Sequence, residues 1–230
     1  MINKLNQLIN PKNIRHSTRY HKEHYLPNEV DTFVGIDLAD IKIMVKELSN
    51  SISHHDFDFL MTHDYHEFRM IAISILVERS KTESINQLFE TYNRYINYIN
   101  NWDLVDVSAP AIVGRYVDET GQRQVIDSYI NSDYMWTNRV ATVACLYLIK
   151  KGEIEYPLEV IQAQLIHYHD LMHKANGWML REVGKISISR LNLFLKENYD
   201  KIPRTTLRYA IEKHQEDIRK KILGGNFSWL

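Results

Sequence analysis

The stretch Phe68-Arg-Met-Ile-Ala-Ile-Ser-Ile-Leu76 indicates the fold class of this 230-residue chain. Its apolar residues recur at the i, i+3, i+4, i+7, i+8 spacing of one buried helical face, at Phe68, Ile71, Ala72, Ile75 and Leu76. The following segment, 85–99, repeats the pattern. Both segments are therefore predicted to be amphipathic helices.

The rest of the chain is also helical in pattern, with short polar breaks at positions such as 131–133, 151–152 and 199–203. No segment shows the sustained period-2 alternation of a strand, so the predicted fold class is all-α. No long Pro/Gly/Ser linker divides the sequence, and residues 1–230 are predicted to form one domain. Further helices are predicted at 38–49, 103–116, 122–131, 134–150, 157–172, 174–184, 188–198 and 204–221.

The spacing of the tryptophans favours a particular all-α architecture. Helices of this length with short turns fit either a bundle or a stack of helical pairs. Trp102, Trp136 and Trp178 are 34 and 42 residues apart, close to the period of helix-pair repeats. The spacing favours an α-solenoid of stacked pairs.

Charge is unevenly distributed along the chain. The whole sequence carries a net charge of −1, which by itself argues against a strongly basic nucleic-acid binder. Residues 174–230, however, contain 12 Lys and Arg against 6 Asp and Glu. This basic C-terminal part is compatible with a polyanionic partner, and equally with the ordinary unevenness of a solvated surface.

The cysteine content and the N-terminal sequence bear on the cellular compartment. A single cysteine, Cys145, lies in an apolar stretch, so no disulfide framework exists and a buried, inert thiol is expected. The first residues contain no apolar signal region, and no apolar run is long enough for a membrane span. We therefore predict a cytoplasmic protein without membrane association.

The stretch Asn101-Trp-Asp-Leu-Val-Asp106 is the first candidate site. On a helix, Trp102 and Asp106 are four residues apart and share a face, whereas Asp103 points elsewhere. A structural interpretation stays open, with Asp103 as an N-terminal capping acid and Trp102 as a core aromatic. Asp106 lies beyond the first turn and is harder to explain as a cap.

Two further stretches combine indole rings with cations. Trp136 and Arg139 are three residues apart, and Trp178 is followed at helical spacing by Arg181 and Lys185. Cationic side chains of this kind hold phosphates, and a carboxylate opposes developing positive charge, so together with Asp106 they would suit a sugar–phosphate backbone. A cation–π network in the core explains them at least as well.

Histidines and acids cluster at 54–56, 63–67 and 167–173. His169 and His173 are four residues apart, a spacing compatible with one metal ion, and adjacent His-Asp pairs resemble those of metal-dependent HD-type phosphohydrolases. No spacing defines one coherent ligand set, so we predict no metal site and exposed helix ends instead.

Taken in order, these stretches resemble the DNA alkylation repair glycosylases of the AlkD-like family with HEAT-like repeats. The matching stretches run over most of the chain: Phe33-Val-Gly-Ile36, His66-Glu-Phe-Arg69, Asn101-Trp-Asp-Leu-Val-Asp106, residues 132–139, Gly177-Trp-Met-Leu-Arg-Glu182 and Arg204-Thr-Thr-Leu-Arg-Tyr-Ala210. The resemblance implies an α-solenoid of stacked HEAT-like helix pairs whose concave face binds duplex DNA.

The resemblance also implies roles for single residues. It makes Asp106 the catalytic carboxylate, Trp102 and Trp178 the aromatic pair that cradles the deoxyribose, and Arg139 a contact to the DNA backbone. We expect Trp136, Arg181 and Lys185 to add DNA contacts.

The implied activity is a monofunctional DNA glycosylase, acting as a monomer without a cofactor. It would excise N3- and N7-alkylated purines, such as 3-methyladenine and 7-methylguanine, from double-stranded alkylated DNA. Such a base already carries a positive charge and leaves without a general acid, so one carboxylate suffices where glycoside hydrolysis ordinarily needs two. The alternative is a catalytically silent helical-repeat module that binds DNA structures or a protein partner.

Overall fold

The computed structural model describes residues 1–14, 18 and 31–229. Within these residues every named element is helical, apart from one isolated bridge between Thr32 and Tyr65, so the all-α prediction is confirmed. The described helices divide into two compact units, Met1–Asn100 and Asn101–Leu230. Each unit is described by itself below, and the single domain stays a prediction.

The first unit is built around the stretch that predicted the fold class. That stretch lies in α4, and its five apolar residues are at most 2% exposed because α2, α3 and α5 pack against this helix. The helices of this unit are α1 (Ile2–Leu8), α2 (Leu38–Leu48), α3 (His54–Met61), α4 (His66–Arg79) and α5 (Ile85–Arg94), with 3-10 turns at Pro11–Asn13 and Ile96–Tyr98.

Two of the stretches that carry the resemblance meet inside this unit. Glu67 is 3% exposed, and its carboxylate accepts hydrogen bonds from the backbone amides of Val34, at 3.1 and 3.2 Å, and of Gly35, at 2.8 Å. Gly35 has φ +77°, and a Cβ there would stand 2.1 Å from the carbonyl oxygen of Asn10. The glycine allows the chain to turn beneath α4, and the carboxylate satisfies the amides that the turn buries.

The second unit begins with a helical stretch that has a π turn in its middle. After the turn Pro110–Gly114 the helix continues to Gly121, which ends it in the left-handed conformation at φ +71°. The helices of this unit are α6 (Trp102–Ala109), α7 (Arg115–Thr120), α8 (Gln124–Ile130), α9 (Met135–Lys150), α10 (Glu155–Ala163), α11 (Asp170–Ile186), α12 (Ile188–Asn198), α13 (Arg204–Ala210) and α14 (Glu216–Leu223).

Alternate helices of the second unit pack side by side. α9 contacts α6, α11 contacts α9, and α13 contacts α11, a pattern consistent with a helical-repeat solenoid. Close backbone approach is visible at Gly114, where a Cβ would stand 2.3 Å from the carbonyl oxygen of Ala144 in α9. We call α6, α9, α11 and α13 the site row, since they carry the candidate site residues.

The predicted end of the helix at 157–172 is wrong. The sequence predicted a helix at 157–172, but α10 ends at Ala163 and α11 begins only at Asp170. The imidazole Nδ1 of His169 accepts the backbone N–H of Leu171 at 3.1 Å, and that of His167 accepts the N–H of His169 at the same distance. These side chains accept hydrogen bonds from backbone N–H groups that would donate to backbone carbonyls in a continuous helix. The helix is therefore interrupted, and the chain turns.

The predicted helix at 204–221 is also divided, into α13 and α14, with a turn over 211–215. Cys145 is completely buried, as expected, and burial raises the pKa of its thiol to about 12. None of the helices among residues 1–14 and 31–229 is long and apolar enough to cross a bilayer.

Candidate functional site

An ion pair between Asp106 and Arg139 is the centre of the candidate site. The guanidinium donates from Nε at 3.1 Å and from Nη2 at 2.9 Å to Oδ1, and again from Nη2 at 3.0 Å to Oδ2. Its Nη1 donates to the carbonyl oxygen of Leu171 at the start of α11. Arg139 thereby connects α6, α9 and α11, three helices of the site row.

The local sequence of α6 sets the direction of Asp106. Asn101 is the N-cap, and its side chain accepts the N–H of Trp102 at 2.8 Å. Leu104 and Val105 are fully buried, so the helix presents Trp102 and Asp106, one turn apart, on its half-buried side. The Asp103 carboxylate accepts the N–H of Leu104 at 2.8 Å, as the capping interpretation proposed.

Exposure differs between the two members of the ion pair. The Arg139 side chain is 5% exposed, whereas Asp106 retains 20% of its side-chain surface. A carboxylate offers about four lone-pair directions, and Arg139 uses three hydrogen bonds. Asp106 is therefore a fixed anion with one side open to solvent or to a ligand.

The environment of Asp106 changes its acidity. Burial raises the pKa of the Asp106 carboxyl above its ordinary value; the charge and hydrogen bonds of Arg139 oppose this rise, and the charge of Asp103 adds to it. An anion that is costly to bury interacts strongly with any positive charge brought to its open side.

Trp178 lies on α11, seven residues after Leu171. The residue is half-buried, and its indole makes no hydrogen bond or ring contact with any described residue. The preceding residue, Gly177, is packed directly against α13: a Cβ there would stand 2.4 Å from Cβ of Tyr209 and 2.6 Å from the carbonyl oxygen of Thr206. The close helix approach fixes the backbone that carries the indole.

Replacement of Gly177 by alanine tests this packing. We expect Gly177→Ala to lower the free energy of unfolding by about 1–3 kcal/mol, since the methyl group must push α13 away from α11. Gly184→Ala on the same helix is the matched control, because a Cβ there meets only the end of the flexible Leu191 side chain at 2.6 Å. Urea unfolding of both variants measures the difference, and equal stabilities would contradict the packing argument.

The three other predicted DNA contacts have different environments. Trp136 is completely buried within α9 and offers no surface to a ligand, so its placement supports the core interpretation. Arg181 is 20% exposed at its side chain and donates to Glu212, and Lys185 donates to both carboxylate oxygens of Glu182 at 2.7 Å. The structure thus gives both cations intramolecular carboxylate partners.

The structure places the three histidine clusters at helix ends and turns, but the prediction that these ends are exposed is wrong for His66. This first residue of α4 is 3% exposed, and its Nδ1 is hydrogen-bonded to Asp31 at 3.0 Å. His54 and His55 begin α3, whereas His167 and His169 order the turn before α11. Within residues 1–14 and 31–229, no three His, Cys, Asp or Glu side chains are arranged to hold a metal ion.

Sequence reasoning missed two features of the site. It did not pair Arg139 with Asp106, which is 33 residues earlier, and it did not identify the Leu171 carbonyl as a partner of the guanidinium. For the ion pair, the available signal was that Asp106 and Arg139 carry opposite charges and lie on two helices predicted to contribute to the same site. No side-chain signal exists for the second, because Leu171 contributes only backbone.

Two comparisons with known proteins, one with family models and one with solved structures, point to the same family. The family described as "DNA alkylation repair enzyme" matches residues 1–214 of the chain. Among solved structures, the predicted DNA alkylation repair enzyme from Enterococcus faecalis superposes with a TM-score of 0.71 at 18% sequence identity. The match covers 90% of this chain and 97% of that one, which shows a shared fold. No curated protein matches the chain.

Proposed function

The chain belongs to the DNA alkylation repair enzyme family, which indicates a role in DNA repair, and we propose that it is a monofunctional DNA glycosylase. Its proposed substrates are positively charged N3- and N7-alkylpurines, including 3-methyladenine and 7-methylguanine, in double-stranded DNA. We further propose that its repeats are HEAT-like with a concave DNA-binding face, and that it acts as a cytoplasmic monomer.

The observation that carries this proposal is the half-open anion at Asp106. Its carboxylate is fixed by the buried Arg139, shares one side of α6 with Trp102, and is connected through the Leu171 carbonyl to the helix that bears Trp178. An anion held in a fixed direction beside indole rings suits a reaction that develops positive charge on a sugar.

The proposed cleavage of the N-glycosidic bond requires few groups besides the Asp106 carboxylate and the two indole rings. Breaking the N-glycosidic bond of a cationic alkylpurine sends the bonding electron pair to the base, which leaves neutral, and leaves an oxocarbenium-like deoxyribose. Asp106 would stabilise that cation and orient a water molecule, whose oxygen bonds to C1′ while its proton is lost to solvent. Trp102 and Trp178 would lie against the sugar and exclude bulk water.

The charge of the lesion should decide whether it is a substrate. We expect release of 3-methyladenine and 7-methylguanine but little release of an uncharged base such as hypoxanthine, because the proposal assigns Asp106 alone to the reaction and no general acid to protonate a neutral leaving group. Chromatography of the bases released from matched duplexes measures this preference. Equal rates for charged and uncharged lesions would contradict the single-carboxylate mechanism.

The test of the function itself is base release from methylated duplex DNA. Wild-type protein should release alkylpurines and leave abasic sites, and the Asp106→Asn variant should release them far more slowly. If the wild type releases no more 3-methyladenine or 7-methylguanine than this variant, the proposal is wrong. No borohydride-trapped adduct with abasic DNA is expected, since the proposal assigns no Schiff-base lysine.

One observation favours the silent binding module as a second candidate. Both oxygens of Asp106 already accept hydrogen bonds from Arg139, an arrangement that a purely structural ion pair would also have. Salt-sensitive binding to undamaged or branched DNA, with no base released from alkylated DNA, would support this alternative.

A further inference from the structure

The basic C-terminal part of the chain contains a cation that the proposed site does not use. α11 and α13 run side by side in the same direction, as three contacts at increasing positions show. Thr205 donates to Asp170 at 3.2 Å, Thr206 donates to the carbonyl oxygen of His173 at 3.0 Å, and Glu212 accepts from Arg181. Residues on the exposed side of α13 therefore lie one helix away from Trp178.

The buried side of α13 determines which residues remain outside. Thr206, Leu207 and Ala210 are at most 1% exposed. At 100° per residue, Arg208 and Tyr209 then fall on the solvent side, with Tyr209 towards α11, where its Cβ meets Gly177. Arg208 and Trp178 consequently belong to one surface of two packed helices.

Arg208 differs from the other cations of this surface. Lys174 is paired with Asp170 at 2.8 Å, Lys185 with Glu182, and Arg181 with Glu212. Arg208 is exposed and makes no ion pair with any described residue. Glu212, one turn further along the chain, is engaged by Arg181 and Lys213 instead.

We propose that Arg208 binds a phosphate of the DNA strand that passes Trp178. The inference rests on the proposed function and assigns to α13 the backbone contact that sequence analysis expected of Arg181 and Lys185. Packed helix axes are about 8–10 Å apart, so a strand that crosses from α11 to α13 meets Arg208 within a few nucleotides of the lesion. Guanidinium groups suit this contact because they bind phosphate oxygens in pairs.

The test is the salt dependence of DNA binding by Arg208→Gln. Glutamine keeps the helix propensity of arginine, so the fold should be retained. Loss of one phosphate contact should lower the slope of log K against log salt by about 0.9 and weaken binding about fivefold to tenfold at 0.1 M salt. Fluorescence anisotropy with an unmodified duplex over a range of salt concentrations measures both quantities.

Lys196→Gln is the matched control. Lys196 is also exposed and unpaired among the described residues, but it lies on α12, and α12 is linked to α10 outside the site row through the ion pair of Arg190 with Glu155. Both variants lose one positive charge, so any effect of net charge is common to them. We expect the control to change the affinity less than twofold and to leave the slope unchanged.

The outcomes separate this proposal from the proposed function. An unchanged slope for Arg208→Gln, or equal losses in both variants, would overturn the phosphate contact even if base release is normal. A reduced slope for Arg208→Gln alone supports the contact even if no base is released, because the duplex in this assay carries no lesion.

Discussion

Asp106→Asn is expected to lower the rate of alkylpurine release by about 10²–10³-fold, the loss found when a fixed electrostatic partner of a transition state is removed. An amide has nearly the size of a carboxylate but no negative charge to set against the developing oxocarbenium ion. Single-turnover release of 7-methylguanine from saturating DNA measures the effect on the chemical step alone.

The same substitution also disturbs the fold, and the two effects can be separated. Asp106→Asn leaves the buried Arg139 guanidinium without its anion, a change that costs about 3–5 kcal/mol in buried pairs. The double variant Asp106→Asn/Arg139→Gln places two neutral groups there and should regain part of that stability. If the double variant recovers stability but not base release, the lost charge acts in the reaction. Recovery of both would contradict a catalytic Asp106.

Much of the fold follows from local pattern. The spacing of apolar residues predicted α4 and α12, because a helix that buries one side has apolar residues at regular intervals along its sequence. The boundary between α10 and α11 was not predictable in this way. It depends on His167 and His169 accepting backbone amides, and histidine has no strong pattern of its own as a capping residue.

The candidate site was predictable to the extent that its residues are close in sequence. Trp102 and Asp106 share a side of α6 because they are four residues apart, and that relation needs no tertiary information. The exposure of a side chain and the identity of its charged partner, in contrast, depend on tertiary structure. Arg181 meets Glu212 31 residues later, and Trp136 is completely buried, so neither environment can be derived from helical spacing. Arg208 is notable only after these pairings are known.

Arg139→Gln is the second large expected effect, and it distinguishes a positioning residue from a DNA contact. The resemblance implies a contact to the DNA backbone, but Arg139 is 4% exposed and directs its donors to Asp106 and to the Leu171 carbonyl. We therefore expect base release to fall at least tenfold. Binding to an unmodified duplex should keep the wild-type salt slope. A lowered slope would instead support a phosphate contact by Arg139.

The stability of Arg139→Gln should depend on pH in a direction that identifies Asp106 as the cause. Arg139 lowers the pKa of Asp106 against the effect of burial, so its removal raises that pKa further. A carboxyl with a folded-state pKa above its unfolded value binds more protons when folded, and its protein loses stability as the pH rises through that range. The deficit of Arg139→Gln relative to wild type should thus be small near pH 4 and grow towards pH 7. Urea unfolding of both proteins at a series of pH values measures it, and a deficit independent of pH would mean that lost packing, and not an unpaired Asp106 charge, destabilises the variant.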